Sequence, residues 1–335
     1  MKIAVLSPVA WRTPPRHYGP WEQIASNIAE GMVALGEDVT LFATGDSVTG
    51  GKLASICAAG YEEDRSQDAK VLECLHISNL MEHAGEFDII HNNFDFLPLT
   101  YSRLIKTPVI TTIHGFSSPK IVPVYKKYND TSHYVSISNA DRSPELNYLA
   151  TVYNGLDVAH FDFNETPEDY LLYFGRIHPD KGTAEAIEIA VKAKRRLLIA
   201  GIIQDANYYR EKVEPRLNNK DIQFIGEAGP GKRNELLGKA AALLHPISFN
   251  EPFGMSVAEA MLCGTPVIAF NKGSMPELIN DRQTGFLVNT VNEAVNCVNC
   301  LPVINRSYCR EWAKGKFSKE KMVRDYRELY QKILS

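Results

Sequence analysis

Apolar runs alternate with amphipathic stretches along the chain. Near the start, KIAVLS and DVTLFAT are strand-like runs that bracket WEQIASNIAEGMVALG, in which Trp21, Ile24, Ile28, Met32 and Leu35 recur at helical spacing. Gly36 supplies a stop for that helix. A strand, a helix and a second strand make a βαβ unit, whose crossover brings the two strands parallel. FDIIHNN, PVITTIHG and HYVSIS continue the series as short strands. Between them, residues Glu62 to Ala84 read as one helix with Val71, Leu72, Leu75, Leu80 and Met81 turned inward. The alternation restarts at YLLYFGR, followed by the loop GRIHPDKG, the amphipathic AEAIEIAVKAK and the strand RLLIAG. VIAF and GFLV are later strands, and Lys316–Leu334 is a closing helix. The pattern predicts the α/β class, in two successive series.

The densest chemistry lies between His245 and Ile268, HPISFNEPFGMSVAEAMLCGTPVI. Glu251 and Glu259 bracket the turn Pro252-Phe253-Gly254, and from Met255 the spacing becomes helical, with Val257, Ala258, Met261 and Leu262 as the apolar face. Gly254 lets the backbone come close to a ligand. The N–H groups of the first turn, around Met255 and Ser256, then offer a phosphate site at the positive end of the helix dipole. The two carboxylates flank that anion pocket and suit ligand hydroxyls. A helix that merely packed a core would explain Val257 and Met261, but neither Glu251 nor the turn.

Other strand ends carry further candidates. Arg176 and Lys181 flank a turn through Pro179-Asp180 that ends in Gly182, so a planar fork and a point charge stand together where a diphosphate could lie. His114, followed by Gly115, sets a polar ring at the end of a strand in the first series. Functional loops are expected at Asn92–Phe96, His114–Lys120 and Ser138–Asp141; Asp95 and Asn139 are candidates for acceptor hydroxyls, with helix capping the other role open to Asn139. The loop PVAWRTPPRHYGPWE is long for a connection between strand and helix, which favours a binding role. Its Trp11, His17, Tyr18 and Trp21 could stack on an acceptor or form a hydrophobic lid.

At 335 residues the chain is long enough for two domains of about 150–170 residues each. The near balance of 36 basic and 40 acidic residues argues against nucleic-acid binding through counterion release. MKIAVLSPVA is too short an apolar run for a signal sequence, and no stretch is long enough to span a membrane. Six cysteines make no disulfide scaffold at this length, so reduced thiols and a cytoplasmic location are expected. Cys297 and Cys300 form a lone C-x-x-C with no second ligand pair. Lys120, Lys126 and Lys127, interrupted by Pro123, read as a solvated face, and membrane-surface contact is not indicated.

The pattern E-P-F-G-(x)4-E-A-M-(x)2-G-T-P-V resembles the signature of family 4 glycosyltransferases, retaining enzymes that use nucleotide sugars. The resemblance runs the length of the chain and is concentrated in Gly175–Gly182 and His245–Val267. It implies the GT-B fold, two Rossmann-like parallel-sheet domains facing a central cleft, with a C-terminal helix crossing back to the first domain. The expected division is 1–156 for the acceptor, 157–315 for the nucleotide sugar and 316–335 for the returning helix, with the junction resembling Val152–Asp157. Gly19 and Glu22 match a Gly-Gly-x-Glu element whose backbone faces the diphosphate, but Pro20 replaces the second glycine and has no N–H to offer. A histidine corresponding to His114 contacts the donor sugar in this family, and backbone groups around Gly226 and Glu227 hold the nucleobase. The resemblance favours a UDP-sugar over a GDP-sugar. It leaves the hydroxyl acceptor open among sugars, lipid-linked molecules and small metabolites.

Transfer from such a donor requires stabilising negative charge on the departing oxygen. Arg176, Lys181 and the amides of Gly254–Ser256 would supply it without a metal or other cofactor, and no D-x-D motif is present. Glu251 would hold the hydroxyls of the transferring sugar and Glu259 those of the ribose. Glycosidases use two carboxylates across the scissile bond, whereas spending Glu259 on the nucleotide leaves no evident double-displacement nucleophile. Retention would follow from attack on the same face, as the resemblance implies. A nucleotide-sugar binding module without activity is the alternative; it would keep Glu259 and lose the cation pair or His114. A Rossmann oxidoreductase would need G-x-G-x-x-G in the first loop, which lacks it. The transferase reading requires Arg176 and Lys181 to lie near the helix opened by Gly254.

Overall fold

The computed structural model describes residues 1–17, 19–116, 118–218 and 220–335. It divides into two compact units, Met1–Leu156 together with Lys319–Ser335, and Asp157–Ser318.

The first unit contains β1 (Lys2–Leu6), β2 (Asp38–Phe42), β3 (Lys52–Ala54), β4 (Ile89–Asn92), β5 (Val109–Ile113), β6 (His133–Ser136) and β7 (Tyr148–Thr151). They form one sheet in the order β3-β2-β1-β4-β5-β6-β7, every pairing parallel. Parallel strands covered on both faces need continuous apolar sequence, and β4 and β5 are buried along their whole length. The helix Pro20–Ala34 begins with its proline in the first turn, where a missing N–H costs nothing, and buries Ile24, Ile28 and Met32. Its chain then reverses at Gly36, whose N–H donates to the Val33 carbonyl.

Two helical expectations change. The helix expected over Glu62 to Ala84 is Ala69–Glu82, started by the Asp68 side chain accepting from the Val71 N–H. Val71 and Leu75 stay exposed, because the inward stripe is Leu72, His76 and Leu80, one turn apart. At the other end, Lys316 and Phe317 belong to the helix Arg306–Phe317. The chain is extended at Ser318, and only Lys319–Leu334 joins the first unit.

That last helix is fastened to the sheet by a buried polar network. His91 Nδ1 lies 2.6 Å from Tyr330 Oη and its Nε2 2.7 Å from Thr112 Oγ1, which is 2.6 Å from Tyr326 Oη. Burial pushes the His91 imidazole down to about 3, so one ring nitrogen donates and the other accepts.

The second unit contains β8 (Tyr170–Phe174), β9 (Arg196–Ala200), β10 (Ile222–Phe224), β11 (Ala242–His245), β12 (Val267–Phe270) and β13 (Gly285–Val288), again all parallel, ordered β10-β9-β8-β11-β12-β13. Strand succession runs outward in one direction from β8 and in the other from β11. Where two such neighbours diverge, the loops leaving their carboxyl ends open a crevice. The loops holding residues 175–182 and 246–254 leave from that place.

Candidate active site

The two loops are locked together by backbone. Gly182 has φ 73°, and a Cβ there would come 2.0 Å from the Pro246 carbonyl oxygen, so the loops meet at a spacing that only glycine permits. Nearby, the Ser248 N–H donates to the Asp180 carbonyl at 2.8 Å.

This closeness sets Lys181 against Glu251. Its ammonium donates to the Glu251 carboxylate and lies 4.6 Å from the centre of the Phe249 ring. Both side chains are largely buried, 14% and 13% exposed. His245, at the end of β11, places Nε2 3.7 Å from the same carboxylate. Burial raises the Glu251 pKa, but His245 and Lys181 outweigh it and hold the carboxyl at about 2, fully ionised. Gly254 follows with φ 89°, one turn before Val257, and opens the helix Met255–Leu262, which no side chain among the described residues caps. A Cβ on Gly254 would lie 3.6 Å from Glu251 Cγ, so the Lys181–Glu251 pair adjoins the helix entrance.

Arg176 is turned toward other partners. It donates to Gln204 and lies 4.0 Å from Asp180, whose carboxylate is also 2.5 Å from His178 Nδ1. Glu259 is 4% exposed and faces Arg233 Nη1 at 3.1 Å. Burial pushes its carboxyl pKa up, and Arg233 pulls against that. Each signature carboxylate is therefore already held by a cation. The Phe253 ring is buried edge-on against Phe317 at 5.6 Å, and its carbonyl accepts from Ser274 Oγ at 2.7 Å. Pro252 and Ser256 remain partly exposed. Gly226 has its carbonyl engaged by the Gly201 N–H at 2.9 Å, and Glu227 is exposed.

Neither Arg233 nor the meeting of His245 with Glu251 is legible in the sequence. GPGKRNELL carried no strong apolar stripe, and a histidine ending a strand gives no sign of which side chain it will meet.

The first unit has its own pocket, about 440 Å³, at the reversal between β1 and β4. Trp11, Trp21, Tyr61, Glu22, Glu73 and Asp95 line it, with Gly19 and Pro20 at the start of the first helix. Burial pushes Glu22 up to about 7, although its own N–H and that of Trp11 favour the ionised form. Asp95 sits at φ 89° and accepts from Tyr125 Oη; burial pushes it up to about 6. His114 stacks on Trp21, with ring centres 5.6 Å apart, and its Nε2 lies 3.0 Å from Asn93 Oδ1. Burial pushes that imidazole down to about 3. Asn139 is exposed, does not line the pocket, and accepts from Thr151 Oγ1 at 3.0 Å; the chain after it turns without forming a helix, so it caps none. Tyr18 lies outside the described residues.

Among the described residues, no group of three or more His, Cys, Asp or Glu is arranged to hold a metal ion. Cys297 and Cys300 are free thiols. No helix among the described residues is long and apolar enough to cross a membrane.

With two parallel-sheet units and cation–carboxylate pairs at a glycine-opened helix, the chain is a glycosyltransferase of the GT-B fold. More narrowly, residues 158–296 match the family described as glycosyl transferases group 1. An uncharacterized glycosyltransferase of Methanocaldococcus jannaschii is 27% identical over 283 residues, covering 76% of this chain and 78% of the relative. The GDP-mannose:cellobiosyl-diphosphopolyprenol alpha-mannosyltransferase of Komagataeibacter xylinus is 24% identical, covering 76% and 74%. Among solved structures, HepE of Anabaena in complex with UDP aligns with a TM-score of 0.74 and 18% identity over 99% of this chain and 100% of that one.

Proposed function

We propose that the protein transfers a hexose from a nucleotide diphosphate sugar to a hydroxyl acceptor, with retention at the anomeric carbon and without a metal ion. The observation that carries this is Lys181 resting on Glu251 beside the helix entrance at Gly254. A donor diphosphate brought there meets a buried ammonium and backbone N–H groups, which together oppose the charge that develops on the leaving oxygen. Lys181 moves from carboxylate to phosphate, and Glu251 is freed to accept hydrogen bonds from the sugar hydroxyls. Arg176 adds a second cation from the same loop. Glu259 accepts from the ribose, and the backbone near Gly226 borders the base. The leaving phosphate takes the proton of the attacking acceptor hydroxyl on the same face.

The relatives and structural neighbours include one solved with UDP-glucose and one named for GDP-mannose; the resemblance to the family 4 signature favours UDP. In the first unit, the aromatic and acidic pocket suits a hydroxyl-bearing acceptor, with Trp11 and Trp21 as apolar faces and Glu22 and Asp95 as acceptors. His114, neutral and stacked on Trp21, is assigned to the donor sugar. The test is nucleotide release from UDP- and GDP-hexoses, with and without EDTA, followed by assignment of the product's anomeric configuration by NMR. Release that persists in EDTA with a retained configuration is expected. Dependence on added divalent metal, or inversion, contradicts the proposal.

A further inference from the structure

His245 has no part in the chemistry above, yet it is built into the donor site. Its residue exposure is 6%, and among the described residues its buried Nε2 has no hydrogen-bond partner. That nitrogen stands 3.7 Å from Glu251 Oε2, beyond hydrogen-bond distance and within reach of a small adjustment. A buried polar atom left unpaired is costly, so its position calls for an account.

We propose that His245 is a positioning residue that takes over the Glu251 carboxylate when the donor diphosphate draws Lys181 away. The inference rests on the assignment of Lys181 to the diphosphate. In the unliganded site the Lys181 ammonium is the group bonded to the carboxylate, and the His245 ring supports it from 3.7 Å without closing a hydrogen bond. Moving Lys181 onto a phosphate would leave Glu251 ionised, 13% exposed and without its cation, which is among the more destabilising arrangements a protein interior can hold. His245 is placed to prevent this: the ring gains one proton from solvent and donates its Nε2–H to Glu251. No covalent bond changes. The other charged groups around this centre are Lys181 itself and, on the preceding loop, Asp180, paired with His178 and facing Arg176. Departure of Lys181 exchanges one cation beside Glu251 for another, which couples the proton to the donor.

The consequence is uptake of about one proton per donor bound. UDP-glucose and GDP-mannose suit the test because their diphosphates do not titrate near neutral pH. Calorimetric titration of the full chain with each, in buffers of different ionisation enthalpy, reads the proton directly. The parent protein should show buffer-dependent heat and bind more tightly as pH falls from about 8 to 6. His245→Phe should lose the buffer dependence and raise donor KM about tenfold, with a smaller change in kcat. His245→Gln, a neutral donor of similar reach, should recover KM but not the proton. A merely structural histidine would alter stability without moving the proton count. Binding with buffer-independent heat in the parent protein overturns the inference while leaving the donor assignment intact. Lys181→Ala binding donor as tightly as the parent, or no binding of either nucleotide sugar, removes the donor assignment and this inference together.

Discussion

The Lys181 ammonium rests on the Glu251 carboxylate across 70 residues of sequence, and the contact exists because β8 and β11 are neighbours in the sheet. Neither side chain is spare: each is the other's charge partner, and both are assigned to the donor. Lys181→Met should therefore lower kcat about 10²–10³-fold, the usual effect of losing one preorganised donor at a developing anion. Steady-state rates at saturating donor check this. Glu251→Gln keeps the shape, loses the charge, and should impair the same step.

Glu259 is expected to act on binding. A ribose hydroxyl donating to an ionised carboxylate is worth about 1.5–3 kcal/mol, so Glu259→Ala should weaken nucleotide affinity by at least about 10- to 150-fold with a smaller change in kcat. Titration calorimetry with the free nucleotide measures it. Arg233, 3.1 Å from Glu259, favours the ionised carboxylate while burial pushes its pKa up, so Arg233→Met should weaken nucleotide binding in the same direction.

Glu22 gives the first unit a pH signature. Its carboxyl lies near 7 when folded, against an ordinary value of 4.5, so between those pH values the folded chain holds a proton that the unfolded chain has released. Stability supplied by that proton is complete below 4.5 and is lost as pH rises through 7. The shift corresponds to about 3 kcal/mol. Glu22→Gln cannot titrate, so the stability difference between variant and parent should move by about that amount in the variant's favour between pH 4.5 and 8. Urea titrations at the two pH values read it.

Tyr330 is fully buried, and its hydroxyl is 2.6 Å from His91 Nδ1. Tyr330→Phe removes that partner and leaves a buried ring nitrogen unpaired, at a cost of about 1–3 kcal/mol. Urea unfolding should show the loss, while donor affinity stays at the parental value.

The legibility of this chain followed burial. β1, β2, β4, β5, β8, β9 and β12 are rich in apolar residues because both faces of a parallel sheet are covered, and their order of appearance announces two α/β series. The edge strand β3, only Lys52–Ala54, and the half-exposed β7 need no such run and left no trace. β11 is hidden for another reason: ALLH merges with the apolar residues around it, and nothing in the sequence separates the strand end at His245 from the motif that follows. Within the site, loop residues flanked by Gly and Pro were readable, since Gly182 and Gly254 mark backbone that only glycine tolerates. Which cation meets which carboxylate was not. Arg233 reaches Glu259 through the packing of two helices, and Arg176 turns to Gln204 and Asp180, partners fixed by tertiary structure and invisible to spacing along the chain.

The most direct measurement is a crystal structure of the protein with an intact nucleotide sugar, grown in the presence of EDTA. The account predicts the diphosphate at the entrance of the helix Met255–Leu262, with Lys181 Nζ within hydrogen-bond distance of a phosphate oxygen and no longer on Glu251. A diphosphate bound elsewhere, or Lys181 still paired with Glu251 while the donor sits at the helix, would contradict it.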